Sequence, residues 1–389
     1  MRMSRFTRRE VLGLLGATMG ASLGAGLPAL ARAQQQGPIR IGVLLPMSGP
    51  GAIEGHQVLK GVELAVAQAN EQGVLGRKIE IVLEDDESNS TKGVIAVRKM
   101  IEREKVPFIV GTYPTAVAIA ASKVAREYKV PMLSGGSTGA AATEANTVGD
   151  PWFFRAWPDS NGQGADTARA IVHQFGAKRV SIIHDNTNYG TTLAQQAKEV
   201  ITKEGGQIIS TDSYNTGEQD FATMLTRLRT QKPDAVYIAG WAGDGASIVR
   251  QAANVGLRTQ FVGSGSMLSD DFIKLAGPAS EGFAVATLYE STTPNDAGRV
   301  FGDQFRAIHK YEAGTLNALG YDSTRIGIEA MRRVGKPDSL AIQQMLKSGM
   351  KDFPIVQGPK GATAAFDDRG SIEFPMFIAI VKNGKRTLS

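Results

Sequence analysis

The sequence predicts an α/β protein of two doubly wound, Rossmann-like lobes, and three observations carry that reading. Short apolar runs of strand length alternate with segments of helical period along residues 38–262, the pattern of βαβ units around a parallel sheet. The alternation begins near residue 39 and begins again near residue 179, so it fills two lobes. Further helical segments and a strand-like tail follow, enough chain to complete lobes already started.

In the first run, Ile39–Leu45 (IRIGVLL) reads as a buried strand closed by Pro46, Ser48, Gly49 and Pro50. Helical period then passes through Val58, Val62, Leu64, Ala65, Val66 and Ala69 and stops near Gly73, a residue suited to a helix end. Residues 78–83 form the next strand, ending on Glu84-Asp85-Asp86; 91–104 read as helix, 107–110 as strand, 115–128 as helix and 130–133 as strand. In the second run, 179–184, 207–210, 235–239 and 260–262 read as strands, with helices over 190–204, 219–230 and 245–255. A strand over 281–288, helices near 297–311, 317–333 and 338–348, and a strand-like stretch over 372–381 complete the chain.

If the last helices finish the first lobe, the chain crosses between lobes near 157, 284 and 367. The first lobe is then 38–156 plus 285–366, and the second 157–284 plus 367–389. Several crossings make a hinge, and a cleft beside a hinge is the natural ligand site.

Composition removes several classes. The 389 residues, 42% hydrophobic and 21% charged, suit a soluble chain of two or three domains. The absence of cysteine excludes disulfides, thiolate metal sites and a cysteine nucleophile. Residues 1–33 carry Arg2, Arg5, Arg8, Arg9 and Arg32 against Glu10, so the net +5 falls to about +1 without them. A nearly neutral body gives no electrostatic case for nucleic acid. Those residues read as an export signal: adjacent Arg8-Arg9 of twin-arginine type, an apolar stretch, then Ala31-Arg32-Ala33 with cleavage expected after Ala33. The mature protein is therefore expected in the periplasm.

Few motifs carry chemistry. His56, His173, His184 and His309 are dispersed, and Glu84-Asp85-Asp86-Glu87 lacks calcium-loop spacing, so no metal is expected. Neither GxGxxG nor the Walker glycine-lysine pattern occurs, and no cofactor is expected. Gly135-Gly136-Ser137-Thr138-Gly139 fits G-x-S-x-G after a strand, which would make Ser137 the nucleophile of a serine hydrolase. The competing reading is a small-residue loop whose N–H groups and hydroxyls line a cleft. Tyr113, Tyr189 and Trp241 stand in strand-to-helix loops, where ligands meet doubly wound sheets.

One ordered set of residues resembles a known family. It comprises residues 41–50 (IGVLLPMSGP), residues 63–77 with Ala67, Asn70 and Gly73-Val74-Leu75-Gly76-Arg77, and then Glu84-Asp85-Asp86 and Val110-Gly111-Thr112. Residues 180–190 (VSIIHDNTNYG), Asp220-Phe221 and residues 256–263 (GLRTQFVG) continue it. Together they resemble the branched-chain amino-acid-binding proteins, periplasmic receptors of ABC importers with the type I periplasmic binding fold. The resemblance implies a non-enzymatic, monomeric protein that traps a small amino acid by hinge closure and delivers it to a membrane permease. It places the carboxylate grip on Thr115, Gly136 and Thr138, in loops that also hold Tyr113 and Ser137, and the aromatic wall on Tyr189 and Trp241.

The family's acidic partner for the ligand ammonium falls on Gly265, and a second acidic position falls beside Asp159. Either Asp159, Asp85 or Asp244 supplies the acid, or the ligand is an amine-free aromatic or aliphatic carboxylate or an amide. A periplasmic serine hydrolase using Ser137, and a receptor that reports its ligand to a kinase, are the readings from other classes.

Overall fold

The structure, a computed structural model, describes residues 37–267 and 269–389. The expected export signal over residues 1–33 lies outside them. The chain opens with β1 (Ile39–Leu45), α1 (Ala52–Gln72), β2 (Ile79–Asp85), α2 (Ser90–Glu102) and β3 (Ile109–Gly111). Helix α3 (Thr115–Glu127), β4 (Met132–Leu133), the short α4 (Ala140–Glu144) and β5 (Phe153–Phe154) follow. These strands form a parallel sheet of order β2-β1-β3-β4-β5.

The second run holds α5 (Ser160–Arg169), β6 (Arg179–Asp185), α6 (Asn188–Lys203), β7 (Gln207–Tyr214), α7 (Ala222–Gln231) and β8 (Ala235–Ala239). It continues through α8 (Ala242–Asn254), β9 (Gln260–Gly263), α9 (Asp270–Ala276) and β10 (Ala284–Thr287). The chain then makes α10 (Asp296–His309), α11 (Thr315–Val334) and α12 (Ser339–Lys347), and a small hairpin of β11 (Met350–Pro354) and β12 (Thr363–Ala364). Strands β13 (Phe377–Lys382) and β14 (Lys385–Leu388) close it. The second sheet has order β14-β13-β10-β9-β8-β6-β7, parallel except where β13 runs antiparallel to β10 and β14.

Side-chain alternation places a core on each face of the first sheet. Ile41, Val43 and Leu45 meet α1 and α11, while Leu44, Ile109 and Met132 meet α2 and α3. Close approach of α1 and α11 needs glycine: a Cβ on Gly61 would lie 1.9 Å from Asn317 O, and one on Gly320 2.1 Å from Val58 O. Asn317 Nδ2 donates to Gln57 O at 2.8 Å in the same crossing. Gly327 likewise admits the Phe108 ring, which would be 2.5 Å from a Cβ there.

The structure departs from the sequence-based elements at particular residues. The strand expected over 372–381 begins only at Phe377, because Pro375 has no N–H and Met376 N donates to Asp166 Oδ2. The strand expected over 130–133 shrinks to Met132–Leu133, since Pro131 can offer only its carbonyl, taken by Ile109 N. Helix α5, with its glycine-rich sequence SNGQGADTAR, and strands β5 and β14 were not expected at all. Asp159 starts α5 by accepting from Asn161 N and Gly162 N at 2.8 and 3.0 Å.

The last two crossings fall later than the sequence suggested. Strand β10 still pairs with β9 and β13, so the return follows Thr287 rather than residue 284. Residues 370–372 still run beside Arg155, with Arg155 N donating to Gly370 O and Ile372 N to Arg155 O, so the last crossing lies beyond residue 367. Arg386 on β14 clasps the other lobe. It donates to Glu312 O and Ala313 O at 3.2 and 3.1 Å and meets Glu290 Oε2 at 3.2 Å. Among the described residues no helix is long and apolar enough to cross a membrane.

Candidate functional site

The site lies where both sheets present the carboxyl ends of their strands. From the first sheet come the loop between β3 and α3, which carries Tyr113 and Pro114 to the helix start at Thr115, and the loop 134–139 after β4. Each depends on the other. A Cβ on Gly136 would lie 2.2 Å from Tyr113 Cδ2, and one on Gly139 2.1 Å from Thr115 Cγ2. From the second sheet come Tyr189 in the first turn of α6, Trp241 immediately before α8, and the turn after β9 with Gly265 and Ser266.

These loops border two adjoining narrow cavities. The first is lined by Tyr113, Pro114, Thr115, Gly136, Thr138, Tyr189 and Trp241. The second shares Tyr113, Gly136, Thr138 and Tyr189 and adds Gln163, Gly265, Ser266, Ala286, Leu288, Thr315, Leu316, Leu319 and Met376. The Tyr113 and Trp241 rings meet across the cleft with centroids 5.6 Å apart and planes at 58°. Burial pushes the Tyr189 phenol up to about 12, so it is a neutral hydrogen-bonding group at physiological pH. Thr138 Oγ1 and Trp241 Nε1 are buried with no partner among the described residues, and an unmet buried donor costs about 1–3 kcal/mol. A ligand acceptor would relieve both.

Of the residues singled out in the sequence, Tyr113, Thr115, Gly136, Thr138, Tyr189, Trp241 and Gly265 come together in these linings. Ser137 and Asp159 are not among them. Ser137 is buried; its N donates to Thr112 O at 3.2 Å and its Oγ to Thr115 Oγ1 at 3.4 Å, with no histidine in either lining. Asp159 is engaged as the cap of α5.

The other acids suggested as ammonium partners are also taken. Asp85 accepts from Met47 N, Ser48 Oγ and Glu87 N; partial burial opposes ionisation, but these bonds outweigh it and hold the carboxyl below its usual range. Asp244 accepts from Gly217 N, and burial pushes it up to about 6. Neither cavity has a charged side chain in its lining.

Sequence reasoning missed the floor of the second cavity, Ala286 on β10, Leu288 just after it, and Thr315, Leu316 and Leu319 on α11. The expected crossing near residue 284 was the available signal for the first two. It also missed Glu54. This residue of α1 is buried and accepts from Ala242 N at 3.1 Å, so the first lobe caps α8 of the second, whose own N-cap residue Trp241 makes no side-chain cap bond.

Burial raises Glu54 from 4.5 to about 7. If the lobes separate, the bond breaks and the carboxyl hydrates, returning toward its ordinary value. A group raised in the closed form stabilises that form fully below the ordinary value and loses this as pH rises through the raised one. Affinity for a cleft ligand is therefore expected to fall between about pH 5 and pH 8. Glu290 at the hinge, also raised by burial to about 7, titrates in the same window. The check is titration of a cleft ligand across that range on parent and Glu54→Gln: the variant's curve should be flatter, and parallel curves would show that Glu54 does not report closure.

Comparison with known proteins places this architecture. Residues 38–386 match the family model described as periplasmic binding protein. The Leu/Ile/Val-binding protein homolog 1 of Brucella suis biovar 1 (strain 1330) is 29% identical over 343 residues, 87% of this chain and 89% of that protein. The leucine-binding protein LivK of Thermotoga maritima MSB8 superposes with a TM-score of 0.82 at 28% identity, covering 90% of this chain and 97% of that one. A solute-binding protein of an ABC transporter from Rhodopseudomonas palustris BisB5, in complex with 3,4-dihydroxybenzoic acid, superposes at 0.80 with 25% identity, covering 90% and 95%. Two helix-flanked sheets, loops meeting at their carboxyl ends and a match along residues 38–386 agree, and the chain belongs to the periplasmic binding protein family, with the type I fold.

Proposed function

We propose that this protein captures a small carboxylate-bearing solute between its lobes and delivers the closed complex to an ABC permease in the inner membrane. It acts as a monomeric, exported binding protein rather than an enzyme, with its signal cleaved after Ala33. The observation that carries the reading is the buried, unpartnered Thr138 Oγ1 in the wall shared by two cavities to which both lobes contribute. A donor in that position suits an anion's oxygen. The apolar floor of Ala286, Leu288, Leu316, Leu319 and Met376 suits a branched aliphatic tail, and the Leu/Ile/Val-binding relatives make a branched-chain amino acid the first ligand class.

A second reading has its own observation. An ammonium shut into the cleft without an acid bears a desolvation cost of several kcal/mol, and Gly265 leaves the expected acid position empty of a side chain. An amine-free carboxylate avoids that cost, and the dihydroxybenzoate-bound relative gives such ligands a precedent in the family.

Calorimetric titration of ligand-stripped mature protein with leucine and with 4-methylpentanoate, the same skeleton without the amine, separates the two. Tighter leucine binding supports the amino-acid reading; tighter 4-methylpentanoate binding supports the second; binding of neither removes both branched aliphatic ligands and turns the search to aromatic carboxylates. Thr138→Ala is expected to weaken whichever acid binds by about 1–3 kcal/mol, through loss of a donor to a charged group. Unchanged affinity would move the anion site away from Thr138.

A further inference from the structure

Arg155 directly follows β5 and is fully buried. Its Nη1 donates to the carbonyl oxygens of Thr138 and Gly139 at 3.4 and 3.1 Å, and its Nη2 to Thr143 Oγ1 and Ser371 Oγ, both at 2.9 Å. All these acceptors are neutral. Among the described residues the acid within ion-pair reach is Asp159, whose Oδ2 is 3.9 Å away and whose other oxygen caps α5. The Arg155 Nε has no partner. Glu373, Asp367 and Glu144 act on its charge from longer range, so this buried cation is held against the back of the loop 135–139 with acids about it but no close ion pair.

Thr138 joins the two sides of that loop. Its carbonyl faces Arg155, while its unpartnered Oγ1 belongs to a residue in the wall of both cavities. An anion bound at Thr138 would sit one residue's thickness from the guanidinium, across a dry protein wall where charges interact far more strongly than in water. Burial lowers the Arg155 guanidinium to about 10, and it stays charged at neutral pH.

We propose that Arg155 is a positioning residue for the ligand's carboxylate: from behind the loop 135–139 it fixes the loop carbonyls and supplies the positive charge that makes the cleft prefer an anion to its neutral analogue. The proposal rests on reading the cleft as a carboxylate site. Its backbone bonds to Gly370 and Ile372 attach the same residue to the last crossing. The loop that receives the anion is thus tied directly to the hinge.

The test compares each acid with its amide, leucine with leucinamide and 4-methylpentanoate with 4-methylpentanamide, by calorimetry on the full mature protein. Arg155→Lys should keep the parent's preference for the acid. Arg155→Met and Arg155→Gln should lose acid affinity by roughly tenfold or more while amide affinity changes little. Gln retains a donor for the loop carbonyls, so it separates charge from support and decides the matter if the Met variant does not fold. Equal loss of acid and amide, or an unchanged ratio in Arg155→Gln, overturns the proposal. Failure of the parent to bind either acid instead overturns the carboxylate reading beneath it.

Discussion

Gly320→Val is expected to lower stability by about 3 kcal/mol, read as an earlier urea midpoint with little change in slope. The valine Cβ would start 2.1 Å from Val58 O, a backbone atom on a helix with no room to turn aside. Relief requires α1 and α11 to separate, and with them go Val58 and Val62 against Leu316 and Leu319 in the first-lobe core. Helix propensity works the other way, favouring the substitution by a few tenths of a kcal/mol, which is too small to decide the sign. Gly243→Ala on α8 is the matched control. Nothing lies within 4 Å of a Cβ there, so gain in propensity should leave that variant unchanged or stabler by up to about 1 kcal/mol. Coincident midpoints for the two variants would mean the helices do not meet at their backbones.

Gly265→Asp should raise the ratio of leucine to 4-methylpentanoate affinity by tenfold or more, roughly the effect of pairing one charge in a dry site. The position accepts a side chain: its φ is not left-handed, and the nearest atoms to a Cβ are Gln163 Oε1 at 3.6 Å and Ala286 O at 3.8 Å. A glycine that neither backbone nor packing demands points to the ligand as its reason. The introduced carboxylate would attract an ammonium and repel a second carboxylate, so both numbers in the ratio move apart. Titration of both ligands against parent and variant reads this directly. An unchanged ratio would show that residue 265 does not face the carbon that bears the amine.

The long elements were legible in the sequence because their signals are local. Strand β1 has an uninterrupted apolar run, and α1 carries helical period up to Gly73, its C-cap residue. Two-residue strands such as β4 and β5 carry no period, and α5 has no apolar stripe, forming instead from a cap and its packing on α6.

Asp159 shows the same limit in the site: an acid before a small-residue segment reads equally as a helix cap or a ligand partner until its hydrogen bonds are seen. The loops after β3, β4 and β8 could be found because strand ends gather ligands whatever their sequence. The cavity floor could not be found whole, since Leu288, Leu316 and Met376 meet only after the chain has crossed between lobes several times. Glu54 and Arg155 were hidden for a related reason. Whether an ionisable residue is buried depends on partners far along the chain, and no spacing records it.

The antiparallel pair at the end of the chain bears on when this protein can fold. Strand β10 stands at the sheet's open edge until residues 377–382 arrive beside it, and the face of the first sheet that holds Ile41 and Val43 is covered by α1 alone until α11 has been made. Neither half can therefore mature on the ribosome as an independent unit, as consecutive domains commonly do. The first must wait for α11 and the second for nearly the last residue, and a chain stopped before residue 377 would leave synthesis with an unpaired strand edge and without the arginine that joins its two halves.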